Sequence, residues 1–203
     1  MSNLNIDQIT YIKELEFKNS KFIKPKRFEY LNNNQKNIWD FIETKDSVSI
    51  FLYHINSNSI ILVRQFRISL WFYQNNYISY IKDENMGFSL ELCSGLVDKN
   101  LSLEQIAKEE CIEELGFLPK KLIKIKDFYS GFGSGTSKQT LFFASVSDND
   151  IINGGGGVDG EVIESVFVKL DNFTKYCDMF PHSSSLDFAY LWFLEHILKT
   201  KTF

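Results

Sequence analysis

The sequence predicts an α/β fold with a mixed sheet, helices on both faces and a small β segment at its N-terminus. Three observations carry that reading. Two β-rich runs, SVSIFLYHI (47–55) and SIILVRQFR (59–67), are separated only by Asn56, Ser57 and Asn58, the mark of a hairpin. A short strand, SLELCSG (89–95), leads directly into an amphipathic helical stretch ending near Gly116. Two apolar helical segments, DNFTKYCDMF and SSLDFAYLWFLEHILKT, close the chain after a strand-like VIESVFVKL.

Taken in order, residues 10–31 alternate apolar and polar positions, as in TYIKELEF and KFIKPKRFEYL, which suggests two strands of a small sheet. Asn32 to Asn37 is a polar turn, followed by IWDFIETKDS. Residues 1–45 are therefore set apart as an N-terminal β segment, and 46–203 as the main domain. The aromatic stretch 69–82 lacks a clean period and is read as an excursion between strands. KLIKIKDFYSG and KQTLFFASV (138–146) are strands, and GGGGVDGE (154–161) is an acidic, glycine-rich loop.

With 203 residues there is material for one substantial core. A net charge of −4 argues against nucleic-acid binding through a general basic field, so an anionic ligand would need local cations. Three cysteines, Cys93, Cys111 and Cys177, form neither an even set nor a CxxC pair, which disfavours zinc and a disulfide framework and favours a reducing compartment. No run of about 18 apolar residues is present, so the chain is read as cytoplasmic, with no membrane partner. His54, His182 and His196 share no ligand spacing, and no G-x-G-x-x-G or Walker pattern occurs.

The helical stretch is the most informative part. Ser102 is its expected N-cap and Gly116 its stop. At about 100° per residue, Leu103, Ile106, Ala107 and Cys111 share one face. Glu110 and Glu114 fall in the middle of that same face, with Glu113 at its edge. Half-buried carboxylates repel and lose solvation unless a positive group meets them, and a hard divalent cation prefers such oxygens. The bland alternative is a solvated acidic helix end.

The block GLVDKNLSLEQIAKEECIEELGF (95–117) resembles the Nudix box, G-x5-E-x7-R-E-U-x-E-E-x-G-U. Gly95, Glu110, Glu113, Glu114 and Gly116 match it in place; Cys111 and Phe117 fill the two aliphatic positions. Leu101 and Glu109 depart, standing where the family has a Glu and an Arg that help position the metal-binding glutamates. Their joint replacement implies a different support, with Lys108 a candidate. WDFIETKDSV, ILVRQFR, YSGFGSGTSKQT and GEVIESV extend the resemblance over roughly residues 39 to 166, toward the uridine diphosphate glucose pyrophosphatase branch and its ADP-ribose pyrophosphatase relatives.

That resemblance implies a Nudix-type α/β/α sandwich and Mg²⁺-dependent hydrolysis of a nucleotide sugar, UDP-glucose to UMP and glucose 1-phosphate, with Mn²⁺ able to substitute. Glu110, Glu113, Glu114 and the Ser94 carbonyl would hold the metal, and Glu113 could instead orient a water. Glu161 would be the general base, with Glu164 its rival. Arg67 would contact phosphate or ribose, while Arg64, Glu91, Gly135 and Thr136 are each either substrate contacts or structural. The glycine run is either a hinge or a simple connection. A homodimer is implied, its N-terminal β segment helping to build the neighbour's site. The alternatives are an ADP-ribose pyrophosphatase, or a Nudix-fold protein that binds nucleotide sugars without hydrolysis.

Overall fold

Asn33 and Asn34 both take positive φ, 49° and 62°, the geometry of a two-residue hairpin turn. Around them β1 (Lys24–Asn32) pairs with β2 (Gln35–Glu43) over its whole length. The computed structural model describes residues 9–18, 20, 23–78, 84–158 and 160–199. Residues 1–8, the end of the 69–82 stretch from residue 79, and Thr200 lie outside the described residues.

The N-terminal sheet differs from the sequence reading in register. TYIKELEF (10–17) forms no strand; its alternating residues are exposed on both sides and meet no partner edge. The second strand is instead QKNIWDFIE, whose first three residues the sequence assigned to a turn. Alternation alone does not make a strand: β1 and β2 are no better covered, but the Asn33–Asn34 turn brings them together, and TYIKELEF has no such partner.

The main sheet runs from β3 (Ser47–His54) and β4 (Ser59–Phe66) through β5 (Phe88–Glu91), β6 (Cys93–Leu96), β7 (Ile123–Ser130), β8 (Ser137–Val146) and β9 (Ile163–Lys169). Its path is β5-β4-β3-β8-β7, with β6 on β3 and β9 on β4. β3 and β8 are parallel and every other pair is antiparallel, so the sheet is mixed. β3 and β4 are registered only over Leu52–His54 against Ser59–Ile61. Beyond that they part: Ser47–Ile50 pairs with β6, while β4 pairs with β5 and β9. This divergence opens the sheet at one end.

Each strand of β3 and β4 is apolar on both faces, as in a sheet covered twice. Val48, Ile50, Leu52, Ile61 and Val63 pack against Ile106, Ala107, Cys111 and Leu115. Phe51, Tyr53, Ile60 and Leu62 pack against Phe173, Cys177, Leu186, Ala189 and Phe193 on the other side. The first layer is α2 (Leu103–Glu110), the second α3 (Phe173–Cys177) and α4 (Ser184–Phe193). The stretch expected to be irregular contains a helix, α1 (Ile68–Tyr77), whose buried Gln74 accepts a hydrogen bond from the Gly87 amide at 2.7 Å. Among the described residues no helix is long and apolar enough to cross a membrane. Cys93, Cys111 and Cys177 are free and buried.

Candidate active site

The capping box at the start of α2 is complete. Ser102 Oγ accepts from the Gln105 amide at 3.2 Å, and Gln105 Oε1 accepts from the Ser102 amide at 3.0 Å. The far end departs from the sequence reading: Cys111–Leu115 is a π-helical turn, so the uniform 100° wheel fails over the last two glutamates. Gly116, at φ 80°, ends it in the left-handed conformation, and its amide donates to Cys111 and Ile112 carbonyls. A Cβ there would stand 2.3 Å from the Asn153 carbonyl oxygen.

The glycine-rich loop explains that close approach. Gly156 and Gly157 amides donate to the Glu114 and Glu113 carbonyls at 2.9 and 3.0 Å, and Ile152 donates to Gly116 at 2.8 Å. Gly155, Gly156 and Gly157 all take positive φ. The run is neither a free hinge nor a loose connection; it caps the orphan carbonyls of the acidic turn. Its continuation carries Glu161 to the rim of the same cleft.

That cleft, of about 510 Å³, is lined by Glu110, Glu113, Glu114 and Glu161, with Arg67, Gln65, Ser94, Gly95, Lys99 and Gln139 around them. Cys111 anchors α2 in the core, which forces Glu114 inward to 6% exposure. The Ser94 amide donates to Glu114 Oε2 at 3.0 Å. Burial pushes the Glu114 carboxyl up to about 8, with Glu110 adding repulsion against the pull of the Cys93 and Ser94 hydrogen bonds. Burial and the charge of Glu113 push Glu110 up to about 7. A Cβ on Gly95 would lie 2.0 Å from Glu110 Oε1, so only glycine leaves room for that carboxylate against β6.

These features fit a hard divalent cation. The donors are all oxygen, their mutual repulsion is only partly offset by Lys99, and a cation would favour their charged forms. The carboxylates are gathered rather than converged: among the described residues no three acidic, histidine or cysteine groups already close on one point.

Arg67 and Glu91 form a two-point pair, Nε to Oε1 at 2.8 Å and a terminal nitrogen to Oε2 at 2.7 Å. Burial pushes Glu91 up, but the Arg67 hydrogen bonds and charge outweigh it and hold the carboxyl below its usual range. Five guanidinium N–H groups exist and the pair occupies two, so Arg67 keeps donors for a ligand. Glu91 does not itself line the carboxylate cleft; it borders a neighbouring cavity of about 360 Å³ and acts on the cleft only through Arg67.

Other expectations are corrected. Arg64 is turned to the opposite face of β4 and is 5% exposed. There it donates to Glu164 and Asn85, each at 2.8 Å, with its guanidinium 4.3 Å from the centre of the Phe88 ring. A substrate role does not fit that placement, and Glu164, its partner, is removed as a rival base. Gly135 and Thr136 do not line the carboxylate cleft. They belong to a separate cavity of about 270 Å³ against Trp39, Phe41 and Ile42 of the hairpin. Lys108 does not support the acidic turn, because its ammonium points to the Lys120 carbonyl oxygen at 3.4 Å. Gln65, Gln139 and Lys99 were missed by sequence reasoning; Gln65 and Gln139 offered no signal beyond ordinary strand polarity.

No family model matches the sequence. The chain is 30% identical over 202 residues to the uridine diphosphate glucose pyrophosphatase of Mus musculus, covering 88% of this chain and 91% of that one. It is 32% identical over 197 residues to the Bos taurus protein of the same name, covering 86% and 89%. A GDP-mannose pyrophosphatase of Shigella flexneri is 31% identical over 159 residues, 78% of this chain and 71% of the relative. Among solved structures, one described as an ADP compounds hydrolase superposes with a TM-score of 0.64 over 92% of this chain and 91% of its own, at 16% identity, a likeness of fold.

Proposed function

The chain belongs to the Nudix hydrolase family, and from that premise we propose that it hydrolyses the pyrophosphate bond of nucleoside diphosphate sugars, UDP-glucose to UMP and glucose 1-phosphate. The observation that carries this reading is the acidic turn of α2 facing Gly95 across one cleft, with Glu161 on its rim. Relatives named for UDP-glucose and GDP-mannose span most of the chain and support the substrate class.

Glu110, Glu113, Glu114 and the Ser94 carbonyl would hold Mg²⁺, for which Mn²⁺ can substitute. When bound, the ion supplies neutralisation of the phosphate oxygens, which otherwise repel an incoming nucleophile. Arg67, braced by Glu91, binds and orients the diphosphate. Glu161 accepts the proton of the attacking water; one P–O bond to the bridging oxygen breaks as the new one forms. The loop carrying Glu161 is fixed to the turn carrying Glu113 and Glu114, so base and carboxylates keep one geometry.

We further place the working form as a cytoplasmic homodimer. Hairpin β1–β2 exposes Phe28, Tyr30, Leu31, Ile38 and Trp39, and an apolar surface of that kind suits a second copy. Sedimentation at micromolar concentration tests it, and a monomer refutes the dimer.

Phosphate release, coupled to a phosphatase, from UDP-glucose, GDP-mannose and ADP-ribose with Mg²⁺ or Mn²⁺ is the test of function. UDP-glucose is expected to show the highest kcat/KM. No cleavage of any of the three defeats the enzymatic reading.

A further inference from the structure

Two elements carry the oxygen donors of the cleft: β6 brings Ser94 and Gly95, and α2 with its π-turn brings Glu110, Glu113 and Glu114. The segment 97–102 joins them, so its shape sets how the helix face stands against the strand. It is fastened at both ends. The Val97 amide donates to the Asp46 carbonyl at 2.8 Å, Lys45 pairs with Asp98 at 3.2 Å, and the capping box holds Ser102.

Between those anchors Lys99 reaches the helix. Its Nζ lies 2.7 Å from Glu109 Oε2 and 3.9 Å from Glu113 Oε1. Glu109 and Glu113 are four residues apart, where like charges on a helix repel, and the ammonium stands between them. Among the described residues no other lysine or arginine pairs with Glu109, Glu110, Glu113 or Glu114. Glu109 itself does not line the cleft, whereas Lys99 does.

We propose that Lys99 and Glu109 are a positioning pair, a loop cation clamping the acidic helix so that Glu110 stays against Gly95 and Glu113 stays in the cleft. Leu101 and Glu109 occupy the two box positions that depart from the family pattern, and this pair spans the same junction with the charges reversed: the cation on the loop, the anion on the helix. As an exposed ion pair it contributes little to global stability, so its effect belongs to the site.

The proposal rests on the cation-assisted reading above, and its test separates the two. In the full chain, Lys99→Met, Glu109→Gln and the reversed pair Lys99→Glu with Glu109→Lys are titrated with Mn²⁺ by calorimetry without substrate. kcat and KM for UDP-glucose follow, and thermal melts check folding. Both single variants are expected to weaken Mn²⁺ binding roughly 10-fold and to lower kcat, leaving KM and the melt close to the parent, with the reversed pair recovering most of the loss. Opposite shifts, Lys99→Met tightening and Glu109→Gln weakening Mn²⁺, would reduce the pair to a through-space field and overturn the proposal. So would a KM rise confined to Lys99→Met, which marks direct phosphate contact, or no change in either. If no sugar nucleotide is cleaved at all, the calorimetry still decides the pair while the proposed reaction falls.

Discussion

Gly95→Ala is the sharpest perturbation of the site. A Cβ at Gly95 would lie 2.0, 2.1 and 2.4 Å from Oε1, Cδ and Cγ of Glu110. Because Cγ is included, swinging the carboxylate tip is not enough, and χ1 of Glu110 must change. Overpacking of this kind costs about 1–3 kcal/mol. For a chain of this size each kcal/mol lowers Tm by roughly 2–4 °C. Glu110 would also leave the face shared with Glu114, and Mn²⁺ affinity should fall roughly 10- to 100-fold, as when a ligand loses its orienting contact. Scanning calorimetry and Mn²⁺ titration measure the two losses on one sample. Adding Glu110→Ala separates them: the double variant should regain stability, since the clash is gone, but not Mn²⁺ affinity. If Gly95→Ala binds Mn²⁺ like the parent with an unchanged melt, Glu110 does not pack on Gly95 and the site geometry is wrong.

Glu161→Gln should lower kcat by about 10²–10⁴-fold with Mn²⁺ affinity retained, as for loss of a general base; a parallel loss of Mn²⁺ binding would make Glu161 a ligand. Arg64→Met should cost about 1–3 kcal/mol by leaving the half-buried Glu164 without its cation, and leave KM unchanged; a raised KM in a stable variant would return Arg64 to the substrate. Glu110 and Glu114 have carboxyls raised to about 7 and about 8 from an ordinary 4.5, so folding favours their protonated forms. In EDTA their contribution to stability is therefore full below about pH 4.5 and lost as pH rises through about 7 and 8. Saturating Mg²⁺ should abolish that decline, and Mg²⁺ affinity should climb over the same window. Urea melts at several pH values, with and without Mg²⁺, check the sign, and a stability that rises with pH in EDTA contradicts it.

What sequence by itself determined is whatever depends on local period and spacing. The 47–67 hairpin, the Ser102 cap, the Gly116 stop and the burial of Ile106, Ala107 and Cys111 follow from alternation, capping chemistry and the helical repeat. The acidic face was legible because carboxylates at apolar positions violate the pattern. Alternation misled in residues 10–17, where no turn or neighbouring strand supplies a partner edge, and it left the role of Arg64 open between substrate contact and ion pair. Tertiary structure decided what depends on contacts distant in sequence. Glycines 155 to 157 meet the carbonyls of Glu113 and Glu114 some forty residues away, and the π-turn settles where those glutamates point. Lys99 finds Glu109 only because α2 folds back over the segment that precedes it, and Arg67 finds Glu91 only because β4 and β5 pair. Backbone repeats are written one residue at a time; the reach of a charged side chain across a cleft exists only once the sheet has opened to form it.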